Sequence, residues 1–454
     1  MTTRPLHPES RFPVAGAWAI DDRREGLEDA GASSHAVEQP KWDLLLLSVA
    51  GYILTSVGRV HQLFSFLEVL HPALLTGILA ILFYALDRHE ERRVSRVMVP
   101  TSKLLVAFLG WMVLSVPLAL RAGNSFDMVF ANFAKTVLMY FVIAGCTRGF
   151  EDVERLVFAY FAAAVIYTGV VLLQFEPAAG DWRFGRLYYY DANDFATFIV
   201  TAMPLGLYFL IGGRSLWWRA FAAIGLIVLT FGFVEAGSRG GLIALGIVIG
   251  FVLLRYSTIP LRWRLSVTAL ITVMLVATAS DRYWQEMGTI MSDQDYNRTH
   301  EYGRLQIWRR GVEYMLENPV LGLGPNNFEV AEGTLSDFSE RQQFGVGVRW
   351  NAPHNSFVQV GAELGLPGLA LFVAVITAAL LALGRSRRNE LALTDAGERR
   401  PPLTPALTAA LLGFVAGAFF LSLAYAEMLY TLLALSIALE KVTADSLDNH
   451  ESYA

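Results

Sequence analysis

Long apolar runs joined by short polar connections dominate the chain after residue 41, and the charged positions fall almost entirely in the connections. A membrane-crossing helix needs about 20 mostly apolar residues, because the hydrocarbon core offers backbone N–H and C=O groups no outside partner. The pattern predicts spans at Trp42–Val57, Phe64–Leu86, Leu104–Leu120, Val129–Ala144, Val153–Phe175, Phe195–Ile211, Ala220–Val234, Gly241–Leu254, Leu265–Ala279 and Gly368–Leu383. The stretch Ala406–Leu439 holds a single charged residue, Glu427. As one helix it would be about 50 Å long against a hydrocarbon core of about 30 Å, so it divides into two. The expected fold class is therefore an all-α polytopic membrane protein of twelve transmembrane helices.

Residues 1–41 mix Pro, Gly, Ser and both charges without a sustained apolar period or a signal-peptide core, and read as a disordered cytoplasmic arm. Helices 1–9 occupy residues 42–279, a large extracytoplasmic loop residues 280–353, helices 10–12 residues 354–440 and a cytoplasmic tail residues 441–454. Orientation follows from the positive-inside rule. With the N-terminus cytoplasmic, the short inward loops hold seventeen Lys and Arg, among them Arg92, Arg148, Arg219, Arg264 and Arg385. The short outward connections hold five: Arg59, Arg121, Arg183, Arg186 and Arg239.

Composition sharpens this picture. Of 454 residues 54% are hydrophobic and 17% charged, against about 25% charged in a soluble domain. The single cysteine, Cys146, excludes an intramolecular disulfide. A net charge of −5 gives no electrostatic case for nucleic acid. No histidine pair stands at i, i+4 on a helix, so neither a transition-metal site nor a cofactor is expected.

Arginines on the outward side run against the trend and become candidates for chemistry. Arg239 lies in EAGSRGGLIAL, a turn whose glycines admit close approach by backbone or ligand; an interfacial arginine reaching lipid headgroups is the plainer reading. In GRLQIWRRGVEYMLENP, Leu305, Trp308, Val312 and Met315 recur at helical spacing, which predicts an amphipathic helix near the membrane surface. Arg304 opens that helix, where the backbone dipole and a guanidinium fork both favour an anion, and Arg309 lies on its polar side. ENPVLGLGPNNF is a structural turn at Gly322, Gly324 and Pro325. In APHNSFVQVGAELGLPG a helix starts at Pro353–Ser356 and breaks at Gly365 and Pro367. His354 and Asn355 then sit at the N-terminal end of a rigid element, and an imidazole there suits a general base. The loop WRFGRLYYYDANDF offers Arg183, Arg186 and Tyr189 for a glycan or diphosphate, or else an interfacial aromatic belt. Asp293 and Asp295 have the spacing of a metal-binding D-x-D, but a polar loop explains them as well. Lys135, Asn132 and Glu427 lie in or beside spans.

In order along the chain, SRGGLIAL, RLQIWRRGVEYMLENPVLGLGPNNF and HNSFVQVGAELGLPGLALF resemble the O-antigen ligase and polymerase superfamily of bacterial membrane glycan transferases. The resemblance covers about Val228 to Leu383. It implies a C-type glycosyltransferase fold and an undecaprenyl-diphosphate glycan as donor. A lipid, glycan or protein would be the acceptor, with the site at the outer face of the cytoplasmic membrane and membrane lipids around it. Carried over by motif, Arg239 and Arg304 would hold the diphosphate and His354 would activate the acceptor hydroxyl, with inversion and without a metal. The same motifs fit a ligase of finished chains or a polymerase of repeat units. A transporter or flippase is the competing class, and it calls for paired mid-membrane charges and an inverted repeat that this chain does not display by eye.

Overall fold

The computed structural model describes residues 41–453 except 175–183, 185–186, 188–189, 213–214, 257–258, 293–294, 296, 298–299, 338, 340–349 and 396–400. Among the described residues the secondary structure is helical, with no β-strand. Among the described residues eight helices are long and apolar enough to cross a membrane: Phe66–Leu86, Pro100–Leu118, Ala122–Gly145, Phe150–Gln174, Ala192–Gly212, Leu216–Ala236, Leu261–Thr278 and Ser356–Asp395. Two shorter apolar helices, Leu44–Val57 and Thr404–Ala418, and the helices Arg239–Arg255 and Glu427–Tyr453 cover the remaining expected spans.

Buried cations tie several of the connections between helices together. The buried Arg92 donates to Asp43, Asp87 and the carbonyl of Cys146, each at 2.6 Å. Arg148 pairs with Asp152 at 2.8 Å and with Asp43 at 3.1 Å. Lys441 donates to the carbonyls of Glu91, Gly145 and Thr147, closing the last helix onto two loops. A buried cation stays charged only when hydrogen-bonded in this way. Elsewhere Tyr190 donates to the carbonyl of Val57, Glu427 accepts from Ser56, and Ser238 donates to Asn193.

The turn after residue 317 is structural, as its glycines predict, and the reason lies in the break at Gly365. Pro367 has no N–H for the carbonyl of Glu363, and Leu366 donates to Pro319 at 2.9 Å instead of completing the helical ladder. The carbonyls left over are filled by the turn: Leu323 N–H donates to Ala362 at 2.9 Å and Gly324 N–H to Glu363 at 2.8 Å. Gly365 has φ 68°, and a Cβ there would lie 2.4 Å from the carbonyl oxygen of Val320. Gly365→Ala is therefore expected to cost about 2 kcal/mol or more, from left-handed backbone and steric overlap together. Gly384, where an added Cβ meets open space, serves as the control. Thermal unfolding of the purified protein reads both, and equal midpoints for the two variants would refute the docking argument.

The helix Arg304–Glu317 buries one face in the protein and leaves another open. Its buried face is Ile307, Gly311 and Tyr314, whereas Leu305 and Val312, assigned to the apolar face, are exposed. Ile307 and Tyr314 form a small core with Leu323, Phe328, Ala331 and Ala362. Gly311 makes this possible, because a Cβ there would come within 2.4 Å of Val358. The helix thus presses a glycine against the Ser356–Asp395 helix and turns part of its apolar sequence outward. Arg310, next to the exposed Arg309, is mostly buried and forked onto Glu332 at 2.8 and 2.5 Å.

Candidate functional site

Arg239 opens a helix for reasons visible in its neighbours. Gly237, at φ 57°, ends the preceding helix, and Ser238 caps the next by accepting from the N–H of Gly241 at 3.0 Å. The Arg239 guanidinium donates to Thr289 Oγ1 at 2.6 Å and to Asp295 Oδ1 at 2.9 Å, with Glu286 at 3.5 Å. Burial raises the Asp295 carboxyl, but hydrogen bonds from Arg239 and Asn297 outweigh it and hold the group below the ordinary carboxylate range. This arginine is already surrounded by anionic oxygen.

His354 sits in left-handed backbone at φ 46°, a conformation that costs a non-glycine residue about 1–2 kcal/mol. Hydrogen bonds on either side hold it there. Its N–H donates to Ser422 Oγ at 2.9 Å, and the carbonyl of Pro353 accepts from Trp308 Nε1 at 3.0 Å. Ser356 donates to Leu421 and accepts from the N–H of Leu423, so the histidine motif clasps the loop before the last helix. Backbone held against its preference marks sites where a side chain must be aimed.

Arg304 is the first residue of its helix, and Arg239, Arg304 and His354 line one cavity of about 750 Å³. Glu286, Thr289, Asp295, Asn297, Tyr302 and Trp350 line it as well. An adjoining cavity of about 390 Å³ shares Arg239, Arg304, Asp295 and Asn297 and is otherwise walled by Gly240, Ile243, Ile290, Leu305, Trp308 and Phe420. The two arginines stand where a polar chamber meets an apolar one.

Other expected contacts fall elsewhere. Asn355 is buried, and its side-chain oxygen accepts from the N–H groups of Phe357 and Val358, so it caps the helix instead of lining the cavity. Arg309 is exposed and paired with Glu313 at 3.0 Å. Arg183, Arg186, Tyr189 and Asp293 lie outside the described residues. Lys135 is exposed on its helix, and Asn132 donates to the carbonyl of Asp127. The sequence reading missed Glu286, Thr289, Asn297, Tyr302 and Trp350. None belongs to a motif, although Trp350 precedes the histidine by only four positions.

Comparison with known proteins finds likenesses over part of the chain. The chain matches 25% of positions over 168 residues of an uncharacterized protein of Haemophilus influenzae, covering 35% of this chain and 41% of that one. The family model described as O-antigen ligase matches residues 224–373, a stretch that contains Arg239, Arg304 and His354. Over residues 224–373, about a third of its length, the chain is similar to the O-antigen ligase family.

Proposed function

We propose that this protein transfers a glycan from undecaprenyl diphosphate to an acceptor hydroxyl at the extracytoplasmic face of a bacterial cytoplasmic membrane, both termini being cytoplasmic. The observation that carries the reading is the placement of Arg239 and Arg304 at the junction of the polar and apolar cavities. A lipid diphosphate glycan has the same order of parts: an apolar chain, two phosphates, then sugars. In this reading the acceptor oxygen attacks the anomeric carbon as the bond from that carbon to the diphosphate oxygen breaks. The bonding pair leaves on the diphosphate, and the acceptor proton passes to His354. Attack opposite the leaving group inverts the anomeric centre. Negative charge grows on the leaving oxygens, where fixed guanidiniums stabilise it without having to reorganise.

The assay is the purified protein with a glycan on undecaprenyl diphosphate as donor and membrane lipid extract as acceptor source. Release of undecaprenyl diphosphate together with a larger glycan-bearing product is the expected result. Movement of the intact donor across a vesicle bilayer with no new glycosidic bond would overturn the reading in favour of a flippase. Gel analysis of a deletion strain separates the two transfers: long chains left on the carrier mark a ligase, single repeats a polymerase.

A further inference from the structure

One wall of the polar cavity is a short segment ending at the histidine: Trp350, Asn351, Ala352 and His354 all line it. The histidine end is held by the hydrogen bonds to Ser422 and from Trp308 described above. The tryptophan end is held by packing. The guanidinium carbon of Arg121 lies 5.6 Å from the centre of the indole, within cation–π range. Gly333 lets the ring seat on the neighbouring helix, since a Cβ there would come within 2.4 Å of indole Cε2. Trp350 nevertheless keeps 44% of its surface exposed. A large aromatic ring held by a neighbouring helix and an arginine, left partly open, and set in a chamber of mainly polar side chains is a surface prepared for a flat, partly apolar ligand.

We infer that Trp350 is a stacking platform for a pyranose ring of the glycan, an inference that rests on the transfer reading above. The sugars offer a face of C–H groups that pairs with an indole, while their hydroxyls reach the polar side chains around it. Distance fixes which sugars are meant. Four residues of extended chain span at most about 14 Å, so the platform holds one of the few rings nearest the reacting bond. That ring belongs to the donor chain or to a sugar of the acceptor, and the two are told apart by measurement.

The test is steady-state kinetics of the full-length protein with Trp350→Ala, Trp350→Phe and Trp350→Leu, varying donor and acceptor separately. Alanine is expected to raise KM on the order of tenfold for one of the two glycan-bearing substrates, as loss of a stacked aromatic contact predicts, with kcat little changed. Phenylalanine should restore most of the affinity and leucine should not. Inhibition by sugar-free undecaprenyl diphosphate, which reports on the arginines, should be the same in all variants. A rise in the donor KM assigns the ring to the donor; a rise in the acceptor KM assigns it to the acceptor. Unchanged KM for both substrates, leucine equal to phenylalanine, or parallel loss of diphosphate inhibition would overturn the platform. A wild-type protein without turnover would refute the transfer reading by itself. The platform is then decided by fluorescence: the host glycan, released from its carrier, should quench wild-type emission more than that of Trp350→Phe, and equal quenching would dismiss it.

Discussion

Replacing His354 should lower the rate of glycan transfer by roughly 10²- to 10⁴-fold, the range found when a general base is removed. The choice of variant matters, because residue 354 occupies left-handed backbone. Alanine there loses the imidazole and also strains the turn, so a dead alanine variant by itself would be ambiguous. Asparagine tolerates that backbone region and cannot take up the acceptor proton. His354→Asn should therefore keep the clasp between residue 354 and Ser422, unfold at the wild-type temperature and still fail to transfer. Sugar-free undecaprenyl diphosphate should inhibit or bind it as well as it does the wild type, since the arginines are untouched. Full turnover by the asparagine variant would remove the base from this position.

The second large effect concerns Arg239. Arg239→Ala should reduce kcat/KM for the donor about 10²- to 10³-fold, the loss that follows removal of one fixed donor to a developing oxyanion. Lysine should recover only part of it, because a point charge replaces a planar fork. The surroundings of this arginine give a further and more specific expectation. Asp295, at 2.9 Å, and Glu286, at 3.5 Å, already face the guanidinium. Removing the arginine leaves their negative charge facing the incoming diphosphate with only Arg304 to offset it. The double variant Arg239→Ala with Asp295→Asn should thus be more active than Arg239→Ala alone, and a double-mutant cycle measures the coupling. Strict additivity would show that Asp295 does not act through this arginine.

The carboxylates around Arg239 also explain how the arginine is aimed. A long guanidinium side chain loses rotamer freedom when it is fixed, and the hydrogen bonds to Thr289 and Asp295 impose that order before any ligand arrives. Residues 289–297 belong to the segment that follows the Leu261–Thr278 helix, so the long loop supplies the orienting groups and the helical body supplies the cation. The loop in turn is fastened by the GLG turn, whose N–H groups fill the carbonyls exposed at the Gly365 break. A defect at that break should reach the site through the loop, because the helix Arg304–Glu317 and the turn that follows it share a small core with the helix that begins at Ser356, two residues after the histidine.

Much of this was legible along the chain. Most of each expected span is helical among the described residues, because backbone satisfaction in hydrocarbon leaves an apolar run of that length little other choice. Arg239, Arg304 and His354 stood out because charge is scarce and each sits at a helix start. The failures have physical causes as well. On the Arg304–Glu317 helix hydropathy picks out Leu305 and Val312 but is blind to Gly311, whose value is the space it leaves. Asn355 looked like a ligand contact because capping and ligand binding call for the same side chain. The pairing of Arg310 with Glu332 was not legible, because the two stand 22 residues apart in sequence.

By its sequence alone this protein is committed to an all-helical membrane body, to a loop of mixed polarity between its later helices and to a short set of candidate arginines and one histidine. Those follow from local rules: hydrophobic run length, the punctuation of Gly and Pro, and the rarity of charge. Only the tertiary structure decided that the three residues share one cavity, that Asp295 and Thr289 aim Arg239, and that Trp350 stands on the same wall as His354. Convergence of side chains from distant segments depends on how helices pack and which carbonyls a break leaves open, and no window along the chain contains that information.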